Sequence, residues 1–370
     1  MKKNAIDYPL LLFIVPLLGA GLLSMYSFTG ETNFFQKQLL WIVISLVVFT
    51  AASFIDFSFL QKGKTLIILY GVSVLLLVLL FFVGSTIKGA QSWFDFGGFS
   101  FQPVDFAKIT LVLVLSKYFS RRHIEISRMK HIIISAIYML IPFSLVLLQP
   151  DFGSAMVLFA IWFGMALISG ISKKHLFILA AILVSTFFVF WSFVFAPYQK
   201  ARITSFLNPL TDIQGAGYNA YQSLVAVGSG QVLGKGVGYG TQSRLQFLPE
   251  NETDFIFASF AEEWGFVGVS FFLMFLCLVI LRLCIISLRS SNNFEMLFGI
   301  GVACMIVTHS IVNIGMNIGL LPVTGINLPF VSYGGSYLVM LFLALGMLMG
   351  MRRFSQKVRY SDRQKDFVGL

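Results

Sequence analysis

The sequence predicts an all-α integral membrane protein with about ten transmembrane helices, and three observations carry that prediction. Of the 370 residues, 57% are hydrophobic and only 11% charged, whereas a soluble domain runs near a quarter charged. Apolar stretches long enough to cross a roughly 30 Å hydrocarbon core as helix recur along the chain. Basic residues gather between alternate pairs of these stretches. A chain with so little polar surface takes lipid as its main solvent.

The apolar stretches lie near residues 9–28, 39–55, 65–84, 106–119, 131–148, 152–170, 175–196, 255–285, 296–321 and 335–351. Lys2 and Lys3 precede the first, which lacks a small-x-small cleavage site and so reads as a retained helix. The fourth is short and opens on charges. The eighth is long and also opens on charges, which places its start outside the hydrocarbon or against a wet cavity. An even count puts both termini on one side. That side holds 19 of the 26 basic residues and only six of the 16 acidic ones. The positive-inside rule makes it cytoplasmic.

The formal net charge of +10 is therefore a topology signal facing acidic inner-leaflet lipid, and no nucleic-acid partner is expected. Cys277, Cys284 and Cys304 sit inside apolar runs and read as small core residues. His123, His131, His175 and His309 have no metal-ligand spacing.

We read residues 1–370 as a single polytopic domain. Its longest connection is the external loop 197–253, between the seventh and eighth spans, and it ends in a short basic cytoplasmic tail, 352–370. Loops this long in a compact protein are usually functional. Residues 218–227 have the spacing of an amphipathic surface helix. The glycine-rich stretch 228–240 suits close backbone approach to a ligand, including a phosphate cradled by N–H groups.

Asp254 stands at the start of the eighth apolar stretch, where a carboxylate serves as a helix cap or as a reactive group. Glu262 and Glu263 follow about two turns deeper, and acids inside a membrane default to a cavity or a partner. Asp105 and Lys108, at i and i+3, share a helix face: they form an ion pair, or Lys108 meets an anionic ligand with Asp105 holding it. Asp151 reads as a cap or turn residue. Pro322, Gly325 and Pro329 break helix within an apolar segment, which reads as a re-entrant loop lining the site. Together these features suit an outward-facing polar cavity for a lipid-linked ligand carrying phosphate and sugar. They do not by themselves name a reaction.

Five segments carry a family resemblance: KGAQSWFDFGGFSFQPVDFAK, QPDFGSA, YQKARITSFLNP, the run from Gly215 to Gly265 containing TDFIF, and VNIGMNIGLLPVTGINLPFVSYGGS. In this order they resemble the SEDS family of peptidoglycan glycosyltransferases over nearly the whole chain. The uninterrupted GKGVGYGTQSRLQFLPE and the short N-terminus resemble its RodA-like elongation branch more than its division branch, FtsW.

The resemblance implies polymerisation of lipid II into glycan strands outside the bacterial cytoplasmic membrane. It also implies a class B penicillin-binding protein as transpeptidase partner, alongside other elongation-complex membrane proteins. It makes Asp254 the essential aspartate and the candidate general base, and Asp105 and Lys108 the family's acid–x–x–lysine pair. The further substrate-binding candidates are Arg202, Trp93, Gln102, Gln222, Gly234, Lys235, Gly236, Glu250, Glu263 and Ser332. Lys108 and Arg202 are the cations for a departing pyrophosphate. A divalent cation, Mg2+ or Mn2+, would share that work, with Asp254 as a ligand. The chain departs from the family pattern at Ser92, where arginine is usual. Asp105 stands for glutamate, Gln246 for glutamate, Glu252 for histidine and Gln231 for a common glycine. The competing readings are a precursor flippase, a division-type polymerase and an inactive scaffold. A flippase needs polar residues through both leaflets and often inverted repeats. Here the intramembrane acids gather toward the external half and no repeat is evident.

Overall fold

A computed structural model of the chain describes residues 6–27, 34–61, 63–87, 90–95, 97, 100–121, 129–172, 174–178, 181, 192, 200, 204, 206, 217–245 and 247–368. The helices in order are α1 (Tyr8–Ser27), α2 (Phe34–Ser53), α3 (Gly63–Val83), α4 (Pro103–Ser120), α5 (Met129–Leu148) and α6 (Phe152–Ile168). After the long external connection come α7 (Tyr218–Ser229), the single turn α8 (Thr241–Arg244), α9 (Ile256–Leu288), α10 (Asn293–Asn317) and α11 (Gly335–Val368). Seven of them, α1, α2, α3, α5, α9, α10 and α11, are long and apolar enough to cross a membrane. The protein is therefore a multi-pass membrane protein. Helix α6 is apolar but shorter, and α4 carries Asp105, Lys108 and Lys117. The expected seventh span lies largely outside the described residues.

Nine of the ten apolar stretches thus coincide with a helix. The fourth begins earlier than its apolar run because Pro103 takes the first helical position, where its fixed φ is an advantage. The basic tail, read from the sequence only as a short cytoplasmic segment, takes regular structure. It continues α11 as helix to Val368, since nothing from Arg352 to Val368 is a proline or glycine that would stop it.

Helix α10 forms the centre, packed on α9, α4, α6 and α11. Nearly every residue of its middle is buried, including polar His309, Ser310, Asn313 and Asn317. Helix α11 lies along α2, and α1 along α9. The α2–α11 approach is close: a Cβ on Gly346 would fall 2.6 Å from the Phe49 carbonyl oxygen. Small residues let membrane helices gain van der Waals contact where lipid offers no hydrophobic drive.

One end of the bundle is tied by charge. Arg282 on α9 donates to both Asp7 carboxylate oxygens, at 2.8 and 2.9 Å, and Arg352 on α11 adds a third bond of 2.9 Å. Asn292 bonds Gln61, and Ser355 bonds Glu295, at the same end. This is the end where the sequence gathers its lysines and arginines.

At the opposite end α3 leads into a small antiparallel sheet rather than a plain loop. Strands β1 (Ser85–Ile87), β2 (Ala90–Asp95) and β3 (Ser100–Phe101) lie in that order, with Ser85 opposite Trp93 and Phe94 opposite Phe101. The alternation of aromatic and small residues from Gln91 to Phe101 suits strand, a short exception in a mostly helical chain.

Candidate functional site

The site is assembled at the sheet end from the turn 249–255, the start of α9, the last turns of α10, the irregular segment 318–334 and the start of α4. The segment 318–334 behaves as the expected re-entrant wall. It is non-helical, yet Ile326, Leu328, Phe330, Val331 and Ser332 are all buried. Backbone at such depth needs partners, and this segment finds them in the turn before α9. Ser332 donates its hydroxyl to the Thr253 carbonyl (2.6 Å) and accepts from Leu328 N–H (2.8 Å). Tyr333 N–H donates to the Glu252 carbonyl (2.8 Å), and Gln38 on α2 donates to the Ser332 carbonyl (3.4 Å).

Asp254 sits in the middle of this stitching, half-buried. It does not cap α9. The N-cap position falls on Phe255, and no side chain of that residue bonds the first turn. The orphan N–H of Ala258, which a capping carboxylate would normally take, is instead accepted by Asn317 Oδ1 from α10 (3.1 Å). Thr253 does not cap either: its hydroxyl bonds the Glu250 carboxylate (3.0 Å). The Asp254 main chain is fixed by two amides. Asn313 Nδ2 and Asn317 Nδ2 donate to its carbonyl at 2.9 and 3.0 Å. Its carboxylate faces Gly325, where a Cβ would stand 3.5 Å from Oδ2 and where φ is +71°. A glycine there accommodates both the turn and the carboxylate.

Asp105 and Lys108 form the expected ion pair at 3.0 Å, with side chains only 2% and 4% exposed. Lys108 Nζ also stands 5.9 Å from the Tyr337 ring centre, and that ring stacks on His309 at 4.6 Å. His309 Nδ1 lies 3.1 Å from the Asn327 carbonyl, which joins this cluster to the re-entrant segment. Gln102 anchors the start of α4, its N–H donating to Ser336 Oγ (3.2 Å) and its amide to Asp151 (3.3 Å). Asp151 also caps α6 through Ser154 N–H (2.9 Å), as its position suggested. Trp93 lies half-buried on β2, its carbonyl accepting from Ser85. Glu250 holds the turn before Asp254 with φ +54°. Gln222 is half-buried on α7, the helix foreseen at 218–227. Arg202 and Gln246 lie outside the described residues.

The glycine-rich stretch takes a different role from the one its composition suggested. Its N–H groups are spent on α9: Lys235 N–H donates to the Glu262 carbonyl and Gly236 N–H to the Glu263 carbonyl, each at 3.0 Å. Gly238 N–H bonds the Glu263 carboxylate (3.1 Å). In return Phe266 and Val267 N–H donate to the carbonyls of Gln231 and Val232, at 2.9 and 3.0 Å. The stretch thus plugs a break in α9 at Gly265, whose φ of 62° and ψ of −166° are open to glycine alone. Glu262, fully buried, accepts from Lys235 Nζ (2.7 Å), Thr241 Oγ1 (3.1 Å) and the N–H groups of Gln242 and Ser243. Gly234, Lys235, Gly236 and Glu263 therefore build a lock between loop and helix. Those N–H groups are not open to a phosphate; Glu262 is satisfied by the loop, whereas Glu263 is bonded through Oε1 alone and its Oε2 is buried without a hydrogen-bond partner.

Among the described residues no cluster of three or more His, Cys, Asp or Glu side chains could hold a metal ion. The divalent cation of the sequence reading has no such ligand set there. The asparagines at 313 and 317 escaped the sequence reading, although two amides four residues apart in an apolar helix are a legible signal.

The chain belongs to the FtsW/RodA/SpoVE family of cell cycle proteins, whose pattern matches residues 5–357. It is 33% identical over 365 residues to stage V sporulation protein E of Bacillus subtilis, covering 96% of this chain and 99% of that protein. It is 35% identical over 349 residues to the peptidoglycan glycosyltransferase MrdB of Escherichia coli, covering 94% and 93%. Among solved structures, the crystal structure of the rod shape determining protein RodA of Thermus thermophilus superposes with a TM-score of 0.72 at 29% identity, over 96% of this chain and 99% of that one. A chain from a structure describing coordinated polymerization and crosslinking by a peptidoglycan synthase complex gives 0.82 at 30% identity, over 95% and 99%.

Proposed function

We infer that the protein is a peptidoglycan glycosyltransferase that polymerises lipid II at the outer face of the cytoplasmic membrane. The observation that carries this reading is the placement of Asp254. Its carbonyl is held by Asn313 and Asn317 of α10 and its neighbour Thr253 by Ser332 of the re-entrant segment, while Asn317 also accepts the Ala258 N–H in the first turn of α9. This carboxylate, at the helix start and facing Gly325, is our candidate for the proton acceptor.

In the reaction the 4-hydroxyl of one sugar attacks the anomeric carbon of another. A new C–O bond forms as the bond to the lipid pyrophosphate breaks. Asp254 accepts the hydroxyl proton, a contribution typically worth ~10²–10⁴-fold. The pyrophosphate leaves with an added negative charge, which Lys108 and Arg202 are suited to balance. Asp105 holds Lys108 in place through their 3.0 Å ion pair. The outward orientation follows from the basic residues gathered at the end opposite Asp254.

The relation to a peptidoglycan synthase complex supports a class B penicillin-binding protein as partner, with other elongation-complex proteins around it. The uninterrupted run from Gly234 to Glu250 supports an elongation role. The test is co-purification with the transpeptidase, addition of labelled lipid II, and separation of glycan products on a gel beside Asp254→Asn. Polymer from the wild type and none from the variant is expected. No polymer from the wild type, with the partner present and several divalent cations supplied, would overturn the reading.

A further inference from the structure

We propose that Asn313 and Asn317 are positioning residues that set the orientation of Asp254. The inference rests on Asp254 being the reactive carboxylate. Both asparagines are fully buried, and a buried amide stays only where its hydrogen bonds are made. Theirs converge. Asn313 Nδ2 spans the Asp254 carbonyl (2.9 Å) and the Ile326 carbonyl (2.7 Å), so it ties the reactive residue to the re-entrant segment. Asn317 Nδ2 spans the Asp254 carbonyl (3.0 Å) and the Asn313 carbonyl (2.8 Å).

The other pole of Asn317 has an equally specific task. Its Oδ1 accepts Ala258 N–H (3.1 Å) and lies 3.3 Å from the Ser223 hydroxyl, which also donates to the Asn317 carbonyl at 2.8 Å. One side chain therefore caps α9, fixes Asp254 and fastens the external helix α7.

Two substitutions separate positioning from bulk structure. Asn317→Asp retains the acceptor for Ala258 and Ser223 and removes the amide donor shared by the Asp254 and Asn313 carbonyls. Asn313→Asp likewise removes the donor and keeps the shape. Polymerisation of labelled lipid II by the complex with its transpeptidase is measured for wild type, Asp254→Asn and both variants, across pH. Size-exclusion profiles confirm folding. We expect kcat to fall on the order of 100-fold, the scale of an ångström-size misplacement, with KM nearly unchanged. As pH falls, the new carboxyl takes up a proton and regains a donor, so the ratio of variant to wild-type kcat should rise. A ratio that is near one, or that is reduced equally at every pH, overturns the proposal.

An activity-independent arm keeps it separate from the glycosyltransferase reading. Asp254→Cys is alkylated with a water-soluble maleimide, with and without Asn317→Asp. A changed alkylation rate is expected. If the wild type makes no polymer, the polymerase reading fails and the alkylation rates alone decide: equal rates sink the positioning role.

Discussion

The Ser332 hydroxyl donates a 2.6 Å hydrogen bond to the carbonyl of Thr253, seventy-nine positions away and next to Asp254, the proposed reactive carboxylate. The same hydroxyl accepts Leu328 N–H. Ser332→Ala leaves both main-chain groups buried without this partner, a cost of about 1–3 kcal/mol for each unsatisfied group. We expect a lowered unfolding temperature in detergent and slower polymerisation, because the wall behind Asp254 loosens. An unchanged melting curve would show that the contact is dispensable.

Glu262 and Lys235 are bonded at 2.7 Å but are not equal partners. Lys235→Ala leaves the Glu262 carboxylate with Thr241, Gln242 and Ser243 as donors, and the lysine side chain is 28% exposed. Its loss should therefore be mild. Glu262→Ala strips the acceptor from all four donors at once and opens a buried hole. It should destabilise severalfold more, on the scale of about 3–5 kcal/mol for breaking a buried charged network. Limited proteolysis within 228–240, alongside melting curves, checks the order of the two effects.

Gly265→Ala tests the same lock from the helix side. A Cβ there would collide with Gly234 N and fall 2.7 Å from the Val232 carbonyl oxygen. The backbone region it occupies costs a non-glycine residue roughly 1–3 kcal/mol before any clash. The expected outcome is release of the plug, read as faster proteolysis of the loop with α9 otherwise intact.

The spans and Asp254, the proposed reactive residue, were legible because they obey local rules. Helices in lipid must satisfy their own backbone, so each becomes an apolar run of fixed length, and Asp254 lies in a motif that stands out from its surroundings. What was not legible depends on contacts across the chain. The glycine-rich stretch reads as a ligand cradle until Glu262, two dozen residues on, is seen to take its N–H groups. Asp254 reads as a cap until Asn317, sixty-three residues on, is seen to do the capping. A helix-start carboxylate and a glycine run are each compatible with two roles, and only the distant partner decides between them.

Asp7 gives a pH prediction at the opposite end. Burial acts to raise its carboxyl pKa, but the bonds from Arg282 and Arg352 outweigh burial and hold it below the ordinary value of 3.8. A carboxyl depressed on folding contributes stability that is present above its unfolded pKa. That contribution is lost as pH falls through the lower folded value. The unfolding temperature should therefore drop on acidification below about pH 4, and Asp7→Asn should show a smaller drop across that window. Parallel melting curves from pH 3 to 7 check the sign. A variant as acid-sensitive as the wild type would assign the acid loss to other groups.

Asp105 and Lys108 allow structure and chemistry to be separated. Both side chains are buried, so Asp105→Asn or Lys108→Met alone leaves a charge without its partner, at a cost of about 3–5 kcal/mol. The double variant Asp105→Leu with Lys108→Met removes both charges, and replacement of a buried pair by apolar residues is often neutral. Its unfolding temperature should return toward the wild type. Activity should not return, because the leaving pyrophosphate would have lost the cation that Lys108 supplies. A double variant that regains both stability and polymerase activity would make the pair a packing device and leave charge balance to Arg202. Asp105→Glu, which lengthens the acid by one methylene to the form usual in the family, should retain the ion pair and most of the activity, since Lys108 keeps a carboxylate within reach of the next turn.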